Sequence, residues 1–427
     1  MKVAIYGYGV YGKRTAESFL KYWGGRFQVR KIYDREKSGE ADEFWDLTVS
    51  DPSEIFQDYK DGWFEKIIVC ISNKLIREEV EKGIEEKGVP LFFTGAMEDV
   101  ADIDEFDCEG DASIHIRQEG YRLRVCKEML GAPVDHYRGS DILFFKEDGK
   151  ILRNFEDQYG TYDVSLLLRY PFRLKDPIPE KIFMQGEYCA LTRRYSPNYW
   201  HFSFENMDKV YLLEKAGYRG KYIMARSDSN LQLMDLMGVD RDRILFIDDL
   251  ALKKVYVFER FIFIGPETGN RDARTKVLSN YAKEVQKNLV KDPSYPKELY
   301  VKRIGTRKML NGDEITEKYG LVPFIPEEHS VLEQITYFYN ADLILSPHGA
   351  NSTNCLYMRE GTTFIEVFSD RWQNDINGAV CRENKVDHIL LTGKGLEDGL
   401  PDGMYTDFFG PADEIGEAIS KARGVVS

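Results

Sequence analysis

Two short apolar runs, near opposite ends of the chain, each stop at a turn of small residues that opens into a helix-forming stretch. At the start, residues 2–6 read as a strand, Gly7-Tyr-Gly-Val-Tyr-Gly12 as a G-x-G-x-x-G turn, and residues 13–22 as a helix. Toward the end, residues 343–345 stop at Ser346-Pro347, and His348-Gly349-Ala350 leads into Ser352-Thr-Asn354, all residues that cap helices. Repeated strand–turn–helix units build layered α/β sheets, so the fold class is constrained before composition is considered. Further apolar runs at 67–71 and 90–93, with helical spacing over 75–86 between them, continue the alternation.

Both turns have a chemical reading. A strand, a glycine turn and a helix N-terminus leave backbone N–H groups pointing outward, and the helix dipole adds roughly half a positive charge, which suits an anion such as phosphate. At the second turn, His348 can give one more hydrogen bond. At the first, Gly7, Gly9 and Gly12 form a candidate nucleotide loop. Asp34, at the end of a strand over 27–33, stands about where a ribose-binding acid belongs. The same glycines also serve close strand–helix packing.

Cations accompany the second turn. A short strand at 299–301 runs into Lys302, Arg303, Arg307 and Lys308, with Asn311 beyond. Open α/β sheets hold ligands at the C-terminal ends of their strands, and arginine's planar fork matches phosphate oxygens. Glu366 sits inside the apolar strand 362–368. An acid there needs a partner, either an ion pair or sugar hydroxyls.

A third constellation is Tyr195-Ser-Pro-Asn-Tyr-Trp-His-Phe-Ser-Phe-Glu-Asn-Met-Asp208. Ser196-Pro197 reads as an N-cap with proline in the first turn. Trp200, Phe204, Met207 and Tyr211 form an apolar helical stripe, and His201, Glu205 and Asp208 fall on the neighbouring one. A His and a Glu one turn apart can touch, an arrangement suited to taking a proton from a hydroxyl. A metal would call for carboxylate pairs past strands. Asp248-Asp249 ends the apolar run 244–247; Asp102-x-Asp104 and Asp240-x-Asp242 have the D-x-D spacing but sit in an acidic run and in a turn before a strand, and no metal is expected.

The chain resembles glycosyltransferase family 61 from about residue 185 to about residue 370. The motifs that carry the likeness are Asn198-Tyr-Trp-His201 with Phe204-Glu205, Arg303 with Arg307 and Asn311, and Glu333-Gln-Ile335. Ala341-Asp342, Pro347-His-Gly-Ala350, Thr353-Asn354 and Ile365-Glu366 complete it. Glu205 stands where many members carry Asp, and Asn351-Ser352 replaces a Gly-Leu type pair. The resemblance implies a GT-B transferase of two Rossmann-like domains. It also implies inverting transfer of a sugar from a nucleotide, UDP being the expected base, to a hydroxyl of a cell-surface glycan such as a capsular polysaccharide. No cofactor is required in that scheme, and NAD is not expected. Glu205 would be the base with His201 orienting the acceptor, and Asn198 and Asp208 would lie on the acceptor side. Arg303, Arg307, Asn311, His348, Gly349, Ala350, Thr353 and Asn354 would bind the donor, Glu366 its ribose.

With the extra N-terminal α/β unit, the expected layout is 1–112 Rossmann-like, 113–292 acceptor-side and 293–427 donor-binding. The acidic run 98–111, with eight acids and no Lys or Arg, reads as a solvated linker or an exposed edge. Residues 142–145 and 150–152 suggest a hairpin, followed by an apolar segment at 164–168 and a proline-rich one at 171–179. The last helix is expected over 412–422. At 427 residues and net charge −14, nucleic acid is a poor partner. No apolar run approaches the ~20 residues of a membrane span, and the chain opens in a strand without a signal-peptide pattern. Six cysteines without a C-x-x-C pair read as reduced thiols. The expected location is cytoplasmic, at most peripheral at the inner face of the membrane, with self-association left open. Two other readings stand beside the transferase: an NAD-dependent nucleotide-sugar oxidoreductase or epimerase acting through the N-terminal loop, and a non-catalytic partner in polysaccharide assembly.

Overall fold

A computed structural model of the chain describes residues 1–23, 27–71, 74–91, 100–102, 108–109, 116, 118–136, 139–145, 151–153, 181–192, 197–251, 254–267, 270–396 and 405–425. Its strands fall into three sheets.

The first sheet contains β1 (Lys2–Tyr6), β2 (Gln28–Tyr33), β3 (Val49–Ser50) and β4 (Lys66–Val69) in the order β3-β2-β1-β4. Every pairing is parallel. Helices α1 (Val10–Trp23), α2 (Ile55–Lys60) and α3 (Lys74–Glu85) supply the crossovers. Helix α1 begins at Val10, inside the glycine motif and three residues before the expected start. Val3, Ile5, Phe19, Val29, Ile32 and Ile68 make one core here.

The second sheet departs from expectation. It contains β5 (Val100–Asp102), β6 (Cys108–Glu109), β7 (Tyr121–His136), β8 (Gly139–Phe145), β9 (Ile151–Arg153), β10 (Lys181–Ala190), β11 (Lys221–Met224), β12 (Ile244–Phe246) and β13 (Val255–Pro266). Strands β10 to β13 are parallel, as a Rossmann-like half requires, but β7, β8 and β9 are antiparallel. The unit is therefore mixed. Antiparallel strands join through tight turns and need no crossover helix, which is why 121–153 carries no helical spacing. The hairpin expected around residues 146–150 is the β8–β9 pair. Of the two readings of the acidic run, the described part fits an edge: β5 ends the sheet beside β9 and β6 pairs with β7, so sheet membership changes before residue 112. That register sets Cys108 opposite Cys126. Cys126 is disulfide-bonded, while Cys70, Cys189, Cys355 and Cys381 are free thiols, so the expectation of six reduced cysteines fails. The segments at 164–168 and 171–179 lie outside the described residues, as do Asp104 and Ser196.

Helices α4 (Tyr199–Glu205), α5 (Met207–Lys215), α6 (Asp228–Leu236) and α7 (Arg271–Gln286) cover the second sheet. One helix was expected across 199–211; the structure breaks it at Asn206, whose φ of −131° is not helical.

The third sheet is ordered β15-β14-β16-β17-β18-β19. Its strands are β14 (Glu298–Val301), β15 (Val322–Phe324), β16 (Leu343–Pro347), β17 (Thr363–Ser369), β18 (Asp387–Gly395) and β19 (Phe408–Phe409), the last antiparallel. Helices α8 (Gly312–Tyr319), α9 (Val331–Asn340), α10 (Ile376–Glu383) and α11 (Ala412–Ala422), with a 3₁₀ helix over Ala350–Tyr357, complete the unit. Counted within it, the parallel strands run 2-1-3-4-5. In sheets of that order, ligands sit outside the strand ends where the order reverses, here between β14 and β16. The second and third units share a core. Val331, Ile335, Leu356, Tyr357 and Val380 pack in one cluster with Tyr199, Phe202, Met207 and Tyr281. Among the described residues no helix is long and apolar enough to cross a membrane.

Candidate functional site

Strand β14 ends at Val301, and the loop beyond it turns back toward the turn that follows β16. A Cβ built on Gly349 would lie 1.3 Å from Arg303 Nη1, so the guanidinium rests against the bare glycine backbone. Gly349 has φ 177°, ordinary extended backbone. The glycine is needed for space, not for conformation. Arg303 Nε donates to Thr306 O at 2.8 Å, and Arg307 adopts a left-handed φ of 60°, sparsely populated for any residue but glycine. The Arg307 guanidinium stands 5.4 Å from the Trp372 ring centroid, and its Nε is buried without an acceptor among the described residues. Burial lowers the pKa of both arginines; for Arg307 burial and the Arg303 charge together bring it to about 10, so both remain cations at neutral pH. Two partly desolvated cations stand at one strand end, neither in an ion pair with a described carboxylate, a local field that favours anions.

His348 faces the same cations. It is 7% exposed, stacked on Phe368 with centroids 4.2 Å apart, and 5.1 Å from the Trp372 ring. Its Nδ1 lies 2.6 Å from Glu366 Oε1. Burial lowers the His348 pKa, Glu366 opposes that, and the Arg307 and Arg303 charges add to the lowering.

Of the two kinds of partner open to Glu366, an ion-pairing side chain or sugar hydroxyls, the fold itself supplies the first. It is 1% exposed and already accepts from His348, from Asn377 Nδ2 at 2.8 Å and from His388 Nε2 at 3.0 Å. Burial raises its pKa, but hydrogen bonds and charge from the two histidines outweigh that and hold it at about 2. With its lone pairs so engaged, it has little left for a ribose. His388, Asn377 and Trp372 were missed by sequence reasoning. The β17–β18 register aligns Phe364 with His388, which places His388 on the same face as Glu366, diagonally across the pair. A buried acid in a strand was the one available signal, and it did not name the partner.

Other expected donor residues hold the architecture together. Asn311 exchanges two hydrogen bonds with the Gly410 backbone, at 2.8 and 2.7 Å. Thr353 Oγ1 donates to the Ala350 carbonyl. Asn354 Oδ1 accepts from Tyr199 Oη at 2.7 Å, and its amide donates to Gln334 Oε1 at 3.2 Å. The turn also differs from a simple phosphate loop. The strand extends through Pro347, the helix beyond starts at Ala350 and is 3₁₀ throughout, and the Gly349 N–H is taken by Ser352 Oγ at 3.1 Å. A short 3₁₀ helix projects fewer aligned dipoles than the α-helix expected from Ser352 onward, so charge at this site comes mainly from side chains.

The Tyr199–Asn354 bond carries the third constellation into the same region, because Tyr199 opens α4 and Asn354 lies in the 3₁₀ helix. Helix α4 is capped by Asn198, whose Oδ1 accepts from Trp200 N at 2.9 Å and His201 N at 3.4 Å. Asn198, not Ser196, is thus the cap, and capping occupies the amide oxygen of a residue expected on the acceptor side. His201 Nδ1 is 3.1 Å from Glu205 Oε2. Glu205 is 4% exposed while the His201 side chain is 19% exposed, so the acid stands behind the imidazole. Asp208 is fully buried and accepts from Tyr121 Oη at 2.6 Å and Arg274 Nε at 3.1 Å, a structural junction between α5, β7 and α7.

The N-terminal loop is closed on itself. Asp34 accepts from the backbone N–H groups of Tyr8 at 2.6 Å, Glu36 at 3.0 Å and Lys37 at 3.2 Å. A Cβ on Gly12 would fall 1.8 Å from Gly7 O, whereas one on Gly9 meets nothing within 4 Å. Gly7, with φ +91°, makes the turn itself. Of the acidic pairs considered for a metal, Asp248 accepts from Arg226 N at 2.9 Å and Asp249 from the Arg226 guanidinium at 2.9 and 3.0 Å; Asp240 caps a 3₁₀ turn.

No curated protein matches the chain. Among solved structures it is similar to UDP-D-quinovosamine 4-dehydrogenase from Vibrio fischeri, at 18% identity over 23% of this chain and 80% of that one, with a TM-score of 0.20. It is also similar to the metal-soaked Flv1 flavodiiron core from Synechocystis sp. PCC6803, at 9% identity over 96% of this chain and 85% of that one, with a TM-score of 0.21. Similarity that slight carries no argument. The family model of glycosyltransferase 61 matches residues 199–365, from the first residue of α4 into β17. Residues 199–365 thus belong to glycosyltransferase family 61, and the protein is a glycosyltransferase, which takes a sugar donor and a glycan acceptor.

Proposed function

We propose an inverting, metal-independent transferase that moves a sugar from a nucleoside-diphosphate donor, UDP-linked by expectation, to a hydroxyl of a cell-surface glycan such as a capsular polysaccharide. The observation that carries this reading is the pair of partly desolvated cations, Arg303 and Arg307, beside His348 at the β14–β16 switch point. A leaving diphosphate develops charge that such cations stabilise, the task a divalent metal performs in other transferases. The third sheet would be the donor half of a GT-B pair. The parallel half of the second sheet, with α4, would be the acceptor half.

The proton acceptor is reassigned. Glu205 lies behind His201, so His201 would take the acceptor proton at Nε2 while Glu205 holds Nδ1. In a single displacement the acceptor oxygen bonds to the anomeric carbon as the bond to the diphosphate breaks, and the proton passes to His201.

Thermal denaturation with UDP, GDP, CMP, NAD⁺ and NADH, with and without EDTA, tests the donor reading. Stabilisation by a nucleoside diphosphate that survives EDTA and disappears in Arg303→Ala supports it. Stabilisation by NAD(H) alone moves the chemistry to the N-terminal loop.

A further inference from the structure

Glu366 is a buried carboxylate with three neighbours that can donate to it: His348 Nδ1, Asn377 Nδ2 and His388 Nε2. An ionised carboxylate only accepts, so each ring nitrogen facing it carries a proton. His348 with Nδ1–H leaves Nε2 as the ring atom without one, and Asn374 Nδ2 lies 3.5 Å from it, at the limit of a hydrogen bond. The two arginines and Glu366 that act on His348 already sum to one positive charge without an imidazolium. Arg303 and Arg307 come from the loop after β14, Glu366 from β17 and His388 from β18. Tyr405 and Asp407, ahead of β19, and Glu327 act on the arginines rather than on His348. A proton on His348 would add a third positive charge to a half-buried pair of arginines; a bound diphosphate reverses that balance.

We propose that Glu366 and His388 are positioning residues that hold His348 as the Nδ1–H tautomer, and that a nucleoside diphosphate seated on Arg303 and Arg307 draws one proton from solvent onto His348 Nε2. The imidazolium then donates to the diphosphate as a third cation and is present when the leaving group departs. This rests on the donor site proposed above, but the tautomer is a property of the free protein. It also reverses the simple picture of His348 as a standing donor: in the free protein, Nε2 accepts.

Two measurements on the full chain decide it. In ¹⁵N-histidine-labelled protein, long-range ¹H–¹⁵N correlations should show His348 neutral and protonated at Nδ1 near neutral pH. His388→Leu removes one donor from Glu366 and strengthens its pull on His348, so the His348 titration should move to higher pH; His388→Gln, which restores an N–H donor, should move it back. A His348 protonated at Nε2, or a titration indifferent to His388→Leu, overturns the proposal. Calorimetric titration with UDP in buffers of different ionisation enthalpy should show uptake of about one proton per UDP bound, absent in His348→Gln. UDP that binds without proton uptake overturns the proposal. UDP that does not bind at all removes the donor site and with it the uptake step, while the tautomer arm still stands or falls alone.

Discussion

At the residue scale, the site's logic lies in what stands behind each imidazole. His201 has Glu205 at its Nδ1 and His348 has Glu366, and in both pairs the acid is the more buried partner. His201→Ala should lower kcat by about 10²–10⁴-fold, the usual loss of a general base, with a smaller loss for Glu205→Gln. Steady-state kinetics check the order, and the reverse order would return the base to Glu205. Gly349→Ala is a sharper probe. The atom it strikes is the end of a flexible arginine, so thermal stability should hold while Arg303 is displaced. UDP affinity should then fall as in Arg303→Ala, which calorimetry can measure.

At the element scale, the glycine turns divide by what they touch. Gly12→Ala would drive a methyl into the Gly7 carbonyl, so it should destabilise the N-terminal unit, whereas Gly9→Ala should be nearly silent. Thermal denaturation of both variants checks this, and loss of transferase activity in Gly9→Ala without loss of stability would revive a catalytic role for that loop. The cap on α4 is comparable. Asn198→Ala removes the acceptor for two N–H groups and should cost about 1 kcal/mol in denaturant unfolding.

At the scale of the whole molecule, stability should depend on acid in two stages. His348 titrates below its ordinary 6.5 in the folded protein, so below that pH the unfolded chain binds more protons and stability begins to fall. Glu366 titrates near 2 when folded against 4.5 unfolded, so its stabilisation is complete above about 4.5 and is lost as pH falls toward 2. Thermal midpoints across pH should show both stages, with the upper one reduced in His348→Gln. The shared core between the second and third units adds that these two should unfold together.

The local pattern determined the elements. The strand at 2–6, the last helix at 412–422 and the chemistry-bearing turn at 348–350 were legible because apolar runs, caps and glycines act on near neighbours. The His201–Glu205 contact was legible for the same reason, since one helical turn fixes it. What 22 or 155 residues of separation join was not legible. Glu366 meets His388 because two parallel strands take one register, and Tyr199 meets Asn354 because two units share a core. Asn354 and Asp208 fitted a ligand as well as they fitted a neighbour, and both are buried with protein partners. A polar side chain takes whichever partner satisfies it once water is gone, and only the packed chain determines which partner that is.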